Sequence, residues 1–369
     1  MAAFEARLQR AREVLRGRQV DALLAGPSAD LFWLVGYRAL PLERLTLLVL
    51  PAFGPAVLVV PELEAPRARA SGAGDLVEIV TWKEHEDPFG RVTQALDDSG
   101  CPADLHLAVQ DRLWSVFLLR LQAVMPSARW TSGGDISRDL RICKSPDEVE
   151  MLRAAAAAID RVHSRVPDFL RPGRTETAIA RDIADAIMEE HEQVNFTIVA
   201  SGPNGASPHH ETGDRVLEPG DAVVVDIGGT RGDYCSDMTR NYALGAVPAS
   251  FRELHEVLEK AQQAGVEAVR PGVSAETIDA SCRNLIADAG YGDRFIHRTG
   301  HGIGIEEHEE PYLVAGNRES LRPGMVFSVE PGIYIPGRYG ARIEDIVVVT
   351  EEGVERLNHL PRAIREVPV

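Results

Sequence analysis

Through the first third of the chain, short apolar runs alternate with stretches whose apolar positions recur every three or four residues. The charged amphipathic stretch Phe4–Arg16 predicts a helix, and Ala29–Leu34 predicts a shorter one. Asp21–Leu24, Leu45–Leu50, Ala56–Val60, Leu76–Val80 and Leu105–Val109 read as strands, with a further helix over Pro88–Asp97. Such alternation predicts an α/β domain with a mixed sheet. It contains no GxGxxG or Walker loop, so it reads as a scaffold for dimerisation or substrate access. Its end falls near Thr131-Ser-Gly-Gly-Asp135, giving expected domains of residues 1–135 and 136–369.

Beyond that boundary the pattern changes. Ser145 is placed to cap a long helix, with Pro146 at its first position, Asp147 and Glu148 at its positive end and the Ala154–Ala158 run continuing it. Next comes a set comprising helix Glu176–Glu190 and strands Thr197–Ala200, Ala222–Asp226 and Asp233–Tyr242. A second set comprises helices Phe251–Val269 and Ala275–Ala289, a His/Gly-rich segment, and strands Met325–Val329 and Ala341–Thr350. Helices followed by paired strands, twice over, predict an α+β domain with a curved sheet.

The two sets are related. Leu217-Glu-Pro-Gly-Asp-Ala-Val-Val-Val-Asp226 matches Leu321-Arg-Pro-Gly-Met-Val-Phe-Ser-Val-Glu330, so each time a Pro-Gly turn launches an apolar strand that ends on a carboxylate. Upstream, Arg171-Pro-Gly leading to Thr175-Glu176 is echoed by Arg270-Pro-Gly leading to Ala275-Glu276. A repeat of about one hundred residues predicts two related halves facing each other, with their acids meeting near a shared axis.

Composition narrows the function. A formal charge of −17 over 369 residues argues against nucleic acid or an anionic membrane as partner. Four scattered cysteines without a CxxC pair disfavour a disulfide framework or zinc knuckle and fit a reducing cytoplasm. The most apolar stretch, Leu45–Val60, is broken by Pro51, Gly54 and Pro55 and cannot span a bilayer as a helix. The N-terminus has no apolar signal-peptide core. A soluble cytoplasmic protein is expected.

Five potential ligands stand out: Asp226, Asp237, His301, Glu330 and Glu344. Asp226 and Asp237 fall on successive strands of the first half, and Glu330 and Glu344 on the corresponding strands of the second. A lone strand-end acid is ordinarily solvated. Here the acids follow buried-looking runs, where an unpaired charge is costly, and they recur at matching repeat positions. Four carboxylates and an imidazole are too much charge for one buried ion and suit two divalent ions. His209, His297 and His308 have the intrinsic pKa for proton transfer, although an isolated histidine is more often structural.

Five ordered motifs then carry a resemblance: Val225-Asp226-Ile-Gly, Ser236-Asp237-Met-Thr-Arg240, Gly300-His301-Gly-Ile-Gly, Val329-Glu330-Pro-Gly-Ile-Tyr and Arg342-Ile-Glu344-Asp. Together they resemble the pita-bread metallopeptidases, in the proline-specific branch of Xaa-Pro dipeptidase (prolidase) and Xaa-Pro aminopeptidase. Lys144-Ser-Pro-Asp-Glu-Val-Glu is similar to that family's join between its two domains, and the likeness covers nearly the whole chain. It implies an α/β creatinase-like N-terminal domain, then an α+β pita-bread catalytic domain with an internal pseudo-twofold repeat.

The resemblance also implies roles. Asp226 would bind one divalent ion (Mn, Co or Zn), His301 with Glu330 the other, and Asp237 with Glu344 would bridge them. Glu330 would be the general base; His209 and His308 would position substrate, stabilise the oxyanion or move a proton. His297 and Arg342 would shape the substrate site. The expected partners are Xaa-Pro dipeptides or short proline-containing peptides and a second copy of the chain. Retention of all five ligands argues against metal-free creatinase-like chemistry and against a non-catalytic peptide-binding module. The N-terminal domain and the His209/His308 context argue against a methionine-type aminopeptidase. One departure concerns substrate length: several prolidases carry an arginine after the His-Glu-x-Pro segment to grip the dipeptide carboxylate, where this chain has Tyr312. Tyr312 therefore counts with the substrate-binding positions, and the grip falls to Arg338 or to the N-terminal domain.

Overall fold

Uninterrupted Leu/Val runs build the centre of a six-stranded mixed sheet within a first unit, Met1–Arg141. In this computed structural model, residues 2–102 and 104–369 are described. The strands β1 (Ala22–Ala25), β2 (Leu47–Pro51), β3 (Val57–Pro61), β4 (Glu78–Trp82), β5 (His106–Val109) and β6 (Arg129–Ser132) lie in the order β4-β3-β2-β1-β5-β6. Every residue of β1, β2 and β3 is buried, which is why these strands read as continuous apolar runs. Helices α1 (Ala2–Gly17), α2 (Ala29–Val35), α3 (Ala65–Ala70), α4 (Pro88–Asp98), α5 (Ser115–Val124) and α6 (Gly134–Arg141) complete the unit.

Two expectations shift here. The strand expected at Leu76–Val80 starts later, because the Leu76 and Val77 amides close a turn onto the Ala73 carbonyl. The domain boundary expected at 135/136 falls inside α6, and the units divide after Arg141.

The second unit, Ile142–Val369, opens with α7 (Pro146–Phe169). Ser145 caps it in a reciprocal box with Glu148, as the sequence indicates. The first repeat half holds α8 (Glu176–Glu190), β7 (Gln193–Ser201), β8 (Ala222–Arg231) and β9 (Tyr234–Leu244). The second holds α9 (Ala249–Ala268), α10 (Ala275–Asp288), β10 (Gly300–Gly302), β11 (Glu309–Leu313), β12 (Val326–Val329), β13 (Gly332–Ile335), β14 (Tyr339–Arg342), β15 (Asp345–Val349) and β16 (Val354–Arg356). A last strand, β17 (Arg365–Val367), returns to the first half, giving sheets β17-β9-β8-β7, β11-β10-β12-β15-β16 and β13-β14. Among the described residues no helix is long and apolar enough to cross a membrane.

The repeat is physical. Leu217 exchanges hydrogen bonds with Gly173 and Arg174 (3.0 and 2.8 Å), and Leu321 does so with Gly272 and Val273 (2.8 Å each). The same bonds also correct the alignment by one residue. The Glu176 amide reaches the Arg215 carbonyl as the Ala275 amide reaches that of Glu319, so Glu176 corresponds to Ala275 and not to Glu276.

Each half packs its helices on one face of its sheet. Val223, Val225 and Ile227 of β8, with Met238 and Tyr242 of β9, join Ile159, Ile179 and Ile183 of the helices in one core. Phe327 and Val329 of β12 join Leu254, Leu258 and Ile278 in another. Side chains alternate along a strand, so Asp226 and Asp237 are turned to the face the helices leave open.

Candidate active site

Asp226 and Asp237 share a face of one hairpin. In the β8–β9 register Asp226 lies opposite Thr239 and Gly228 opposite Asp237, which makes the two acids diagonal neighbours. The second-half acids depart from expectation. Glu330 comes just after β12, and Glu344 sits in a break between β14 and β15 where one continuous strand was expected. Neither is loose. The Glu330 amide donates to the Thr299 carbonyl (2.7 Å), the Glu344 amide donates to that of Thr239 (3.3 Å), and the Thr239 hydroxyl donates to Glu344 Oε2 (2.7 Å).

His301 rides on β10 between two glycines that admit no side chain. A Cβ on Gly300 would lie 1.9 Å from the Ser328 carbonyl oxygen, and one on Gly302 would lie 2.2 Å from that of Glu310. The strands on either side are simply too close. Behind the acids, Arg240 ties the frame together. Its guanidinium donates to the carbonyls of Thr239 (3.0 Å), Glu344 (2.6 Å), Leu360 (2.9 Å) and Pro361 (3.1 Å) and to the Asp345 carboxylate (2.5 Å).

All five candidate ligands line one cavity of about 470 Å³. Ligand atoms of Asp226, Asp237 and Glu344 lie within 4.8 Å of one another, as do those of His301, Glu330 and Glu344, and those of Asp237, His301 and His308. His301 Nε2 is 3.2 Å from Glu330 Oε1 and 3.7 Å from Asp237 Oδ2. Burial, with Glu344, Asp226 and Glu330 nearby, holds the Asp237 carboxyl well above the usual carboxylate range. Burial beside Glu330 and Asp226 does the same to Glu344, and burial lifts Glu330 to about 7. Burial pushes His301 down to about 3, leaving it the neutral imidazole that a metal requires. Arg342 supplies one compensating charge, donating to Asp226 Oδ2 at 2.5 Å.

One oxygen on each of Asp226, Asp237 and Glu344 is buried without a hydrogen-bond partner. Buried acceptors are rarely left so. Crowded acceptor-only oxygens beside a neutral imidazole suit divalent cations, which bring positive charge and take lone pairs.

Comparison with known proteins agrees with this geometry. Residues 150–351 match metallopeptidase family M24, and residues 7–143 match the creatinase/prolidase N-terminal domain. The chain belongs to metallopeptidase family M24. A probable dipeptidase PepE of Mycobacterium tuberculosis is 50% identical over 359 residues, which cover 95% of this chain and 94% of that one. The crystal structure of dipeptidase PepE from Mycobacterium ulcerans superposes with a TM-score of 0.95 at 48% identity, covering 100% of this chain and 99% of the other. Recombinant prolidase from Thermococcus sibiricus gives a TM-score of 0.92 at 32% identity over 98% and 99% of the two chains. The chain is thus an M24 metallopeptidase of dipeptidase/prolidase type, with a creatinase-like N-terminal domain and a pita-bread catalytic domain.

The remaining candidates of this M24 site separate. His209 and His308 line the cavity and are exposed, and the His308 ring centre is 4.0 Å from that of His301. His297 also lines it, but both ring nitrogens are engaged, with the Arg298 carbonyl (2.7 Å) and the Tyr334 hydroxyl (2.9 Å). Burial lowers its pKa to about 4, which removes it from proton handling near neutrality. Arg342 lines the cavity; Tyr312 does not, its ring lying under the Arg298 guanidinium at 4.3 Å. Arg338 is also absent from the lining, stacking over Tyr339 and reaching Ser250.

Two residues escaped the sequence. Arg298 lines the cavity. Glu176 is fully buried and accepts hydrogen bonds from the Ser201 amide and hydroxyl (2.7 Å each), Asn204 (3.1 Å) and His210 (2.8 Å), anchoring the loop that bears His209.

Proposed function

We propose that this M24 peptidase is a dinuclear metal-dependent Xaa-Pro dipeptidase of prolidase type. The observation that carries the reading is Glu344, which is shared between two ligand groups and, like Asp226 and Asp237, keeps one buried oxygen without a partner. Asp226 would hold one Mn, Co or Zn ion and His301 with Glu330 the other, with Asp237 and Glu344 available to both. A bound pair of such ions supplies Lewis acidity, polarising the scissile carbonyl and making water acidic enough to attack near neutral pH.

The chain's own groups do the rest. Glu330 accepts the proton of the attacking water at its carboxylate. His209 and His308, at the exposed side of the cavity, orient the peptide, donate to the oxyanion and return a proton to the leaving proline nitrogen. Arg342 orients Asp226, and the neutral His297 orients Arg342 through the Tyr334 hydroxyl, which accepts from Arg342 at 3.0 Å. Phe196, Ile198 and Pro208 give the cavity an apolar wall that suits a pyrrolidine ring. Four free cysteines fit a cytoplasmic setting.

The test is a chelation series on Ala-Pro. Metal removal should abolish hydrolysis, and Mn, Co or Zn should restore it with a titration that ends at two ions per chain. Activity that survives complete removal, or is fully restored by one ion, overturns the dinuclear reading. Cleavage of Ala-Leu but not Ala-Pro overturns the proline reading, and Ala-Pro-Ala cleaved faster than Ala-Pro would make the enzyme an Xaa-Pro aminopeptidase.

A further inference from the structure

A free dipeptide brings a carboxylate into a cavity whose other charged lining is largely acidic: Asp226, Asp237, Glu307, Glu330 and Glu344. Two arginines line the same space, Arg298 and Arg342. Arg342 is already engaged. It is buried and donates to Asp226 (2.5 Å), Tyr334 (3.0 Å), Thr239 (3.1 Å) and the Pro208 carbonyl (3.3 Å). Arg298 is in the opposite condition. It is half-buried, and among the described residues its guanidinium makes no hydrogen bond and no ion pair.

The guanidinium is nevertheless held in place. It lies 4.3 Å over the Tyr312 ring, so the ring supports its flat face while the N–H edge stays open. An open arginine edge matches a carboxylate through two parallel hydrogen bonds. The backbone beneath is fixed to the reacting centre. The Arg298 carbonyl accepts from His297 (2.7 Å), the Thr299 amide donates to Leu313 (2.9 Å) and the Thr299 carbonyl accepts from Glu330 (2.7 Å). A cation tied through one residue to Glu330 measures length, since each further residue of an extended peptide displaces its terminal carboxylate by about 3.5 Å.

We infer that Arg298, supported by Tyr312, binds the C-terminal carboxylate of the substrate and sets this enzyme's preference for dipeptides. Tyr312 is then a positioning residue. The inference rests on the dipeptidase reading above but not on its proline specificity.

The test compares each free acid with its amide. Ala-Pro and Ala-Pro amide, and Ala-Leu and Ala-Leu amide, are assayed with wild type, Arg298→Gln, Arg298→Lys and Tyr312→Ala, all metal-loaded. Wild type should favour the acid over the amide on the order of 10- to 100-fold in kcat/KM, chiefly through KM, as expected for a charge-assisted pair. That ratio should fall to near one in Arg298→Gln, stay partly in Arg298→Lys and drop in Tyr312→Ala. Calorimetry gives a readout without turnover: L-proline should bind Arg298→Gln more weakly than wild type by a similar factor, with prolinamide unaffected. An acid-to-amide ratio that survives Arg298→Gln, or equal losses on acid and amide, overturns the assignment whatever the overall activity. Loss of the proline reading looks different, because the Ala-Leu pair then carries the ratio while Ala-Pro is not turned over by wild type.

Discussion

Asp237→Asn should stabilise the metal-free protein while it abolishes peptidase activity. Oxygens of Asp226, Asp237 and Glu344 crowd within 4.8 Å of one another, and two unit charges at that spacing repel by about 3.5 kcal/mol at an effective dielectric constant of about 20. Escape by protonation is not free either, because burial and the neighbouring acids raise the folded pKa and each unit of raise costs about 1.4 kcal/mol once the pH exceeds it. Asparagine has the same size and bears neither cost. After allowance for an imperfectly paired amide, the expected gain is about 2–3 kcal/mol.

Its pH dependence has a definite sign. Burial and neighbouring acids raise the folded pKa of Asp237, so its penalty is absent below the unfolded value and grows as pH rises toward the folded one. The gain should therefore be large at pH 7.5 and small at pH 5. Urea denaturation of both proteins in chelator at the two pH values measures it, and repetition with saturating Mn should stabilise wild type far more than the variant. A variant no more stable than wild type at pH 7.5 in chelator, or a gain equal at both pH values, would refute the charge-crowding argument.

Gly300→Ala should cost more than about 2 kcal/mol and most of the activity, since its Cβ meets a backbone carbonyl at 1.9 Å and no side-chain rotation relieves the clash. Gly353→Ala, with nothing within 4 Å, is the matched control and should melt like wild type; equal melting temperatures for both variants would contradict the packing around His301. Glu176→Ala should lose about 3 kcal/mol by stranding buried donors and should also lower kcat/KM through the His209 loop, with Glu176→Gln intermediate. Burial alone would raise the Glu176 carboxyl, but bonds from Ser201, His210 and Asn204 outweigh it and hold it below 4.5. Its contribution is therefore complete above the unfolded value and lost as pH falls through the folded one, so the wild-type advantage should shrink in acid. A constant advantage across pH would assign the loss to packing alone.

What the sequence discloses depends on whether a residue's role is local. Asp226 is legible because a Pro-Gly turn and an apolar run point to it, and because β8 repeats in kind as β12. Ser145 is legible for the same reason, since a cap is settled by its next few neighbours. Strand β6 gave no signal, its residues being mostly exposed and lacking apolar alternation. Glu344 was expected within a strand because apolar residues flank it, yet its oxygens are turned inward by Thr239 from the other repeat half. Arg298 is the hardest case. No motif singles it out beside the His/Gly-rich segment, and its support on Tyr312 depends on the pairing of β10 with β11.

Arg240 has a kinetic consequence. It holds the backbone beside Asp237 and at Glu344 by the peptide carbonyls of Thr239 and Glu344, leaving the side-chain carboxylates of those two acids untouched. Those bonds do not depend on the charge state of the acids in front of them. An ion bound as proposed would meet a backbone already in place, so its loading is expected to run at the rate at which a cation sheds its hydration water and not at a refolding rate.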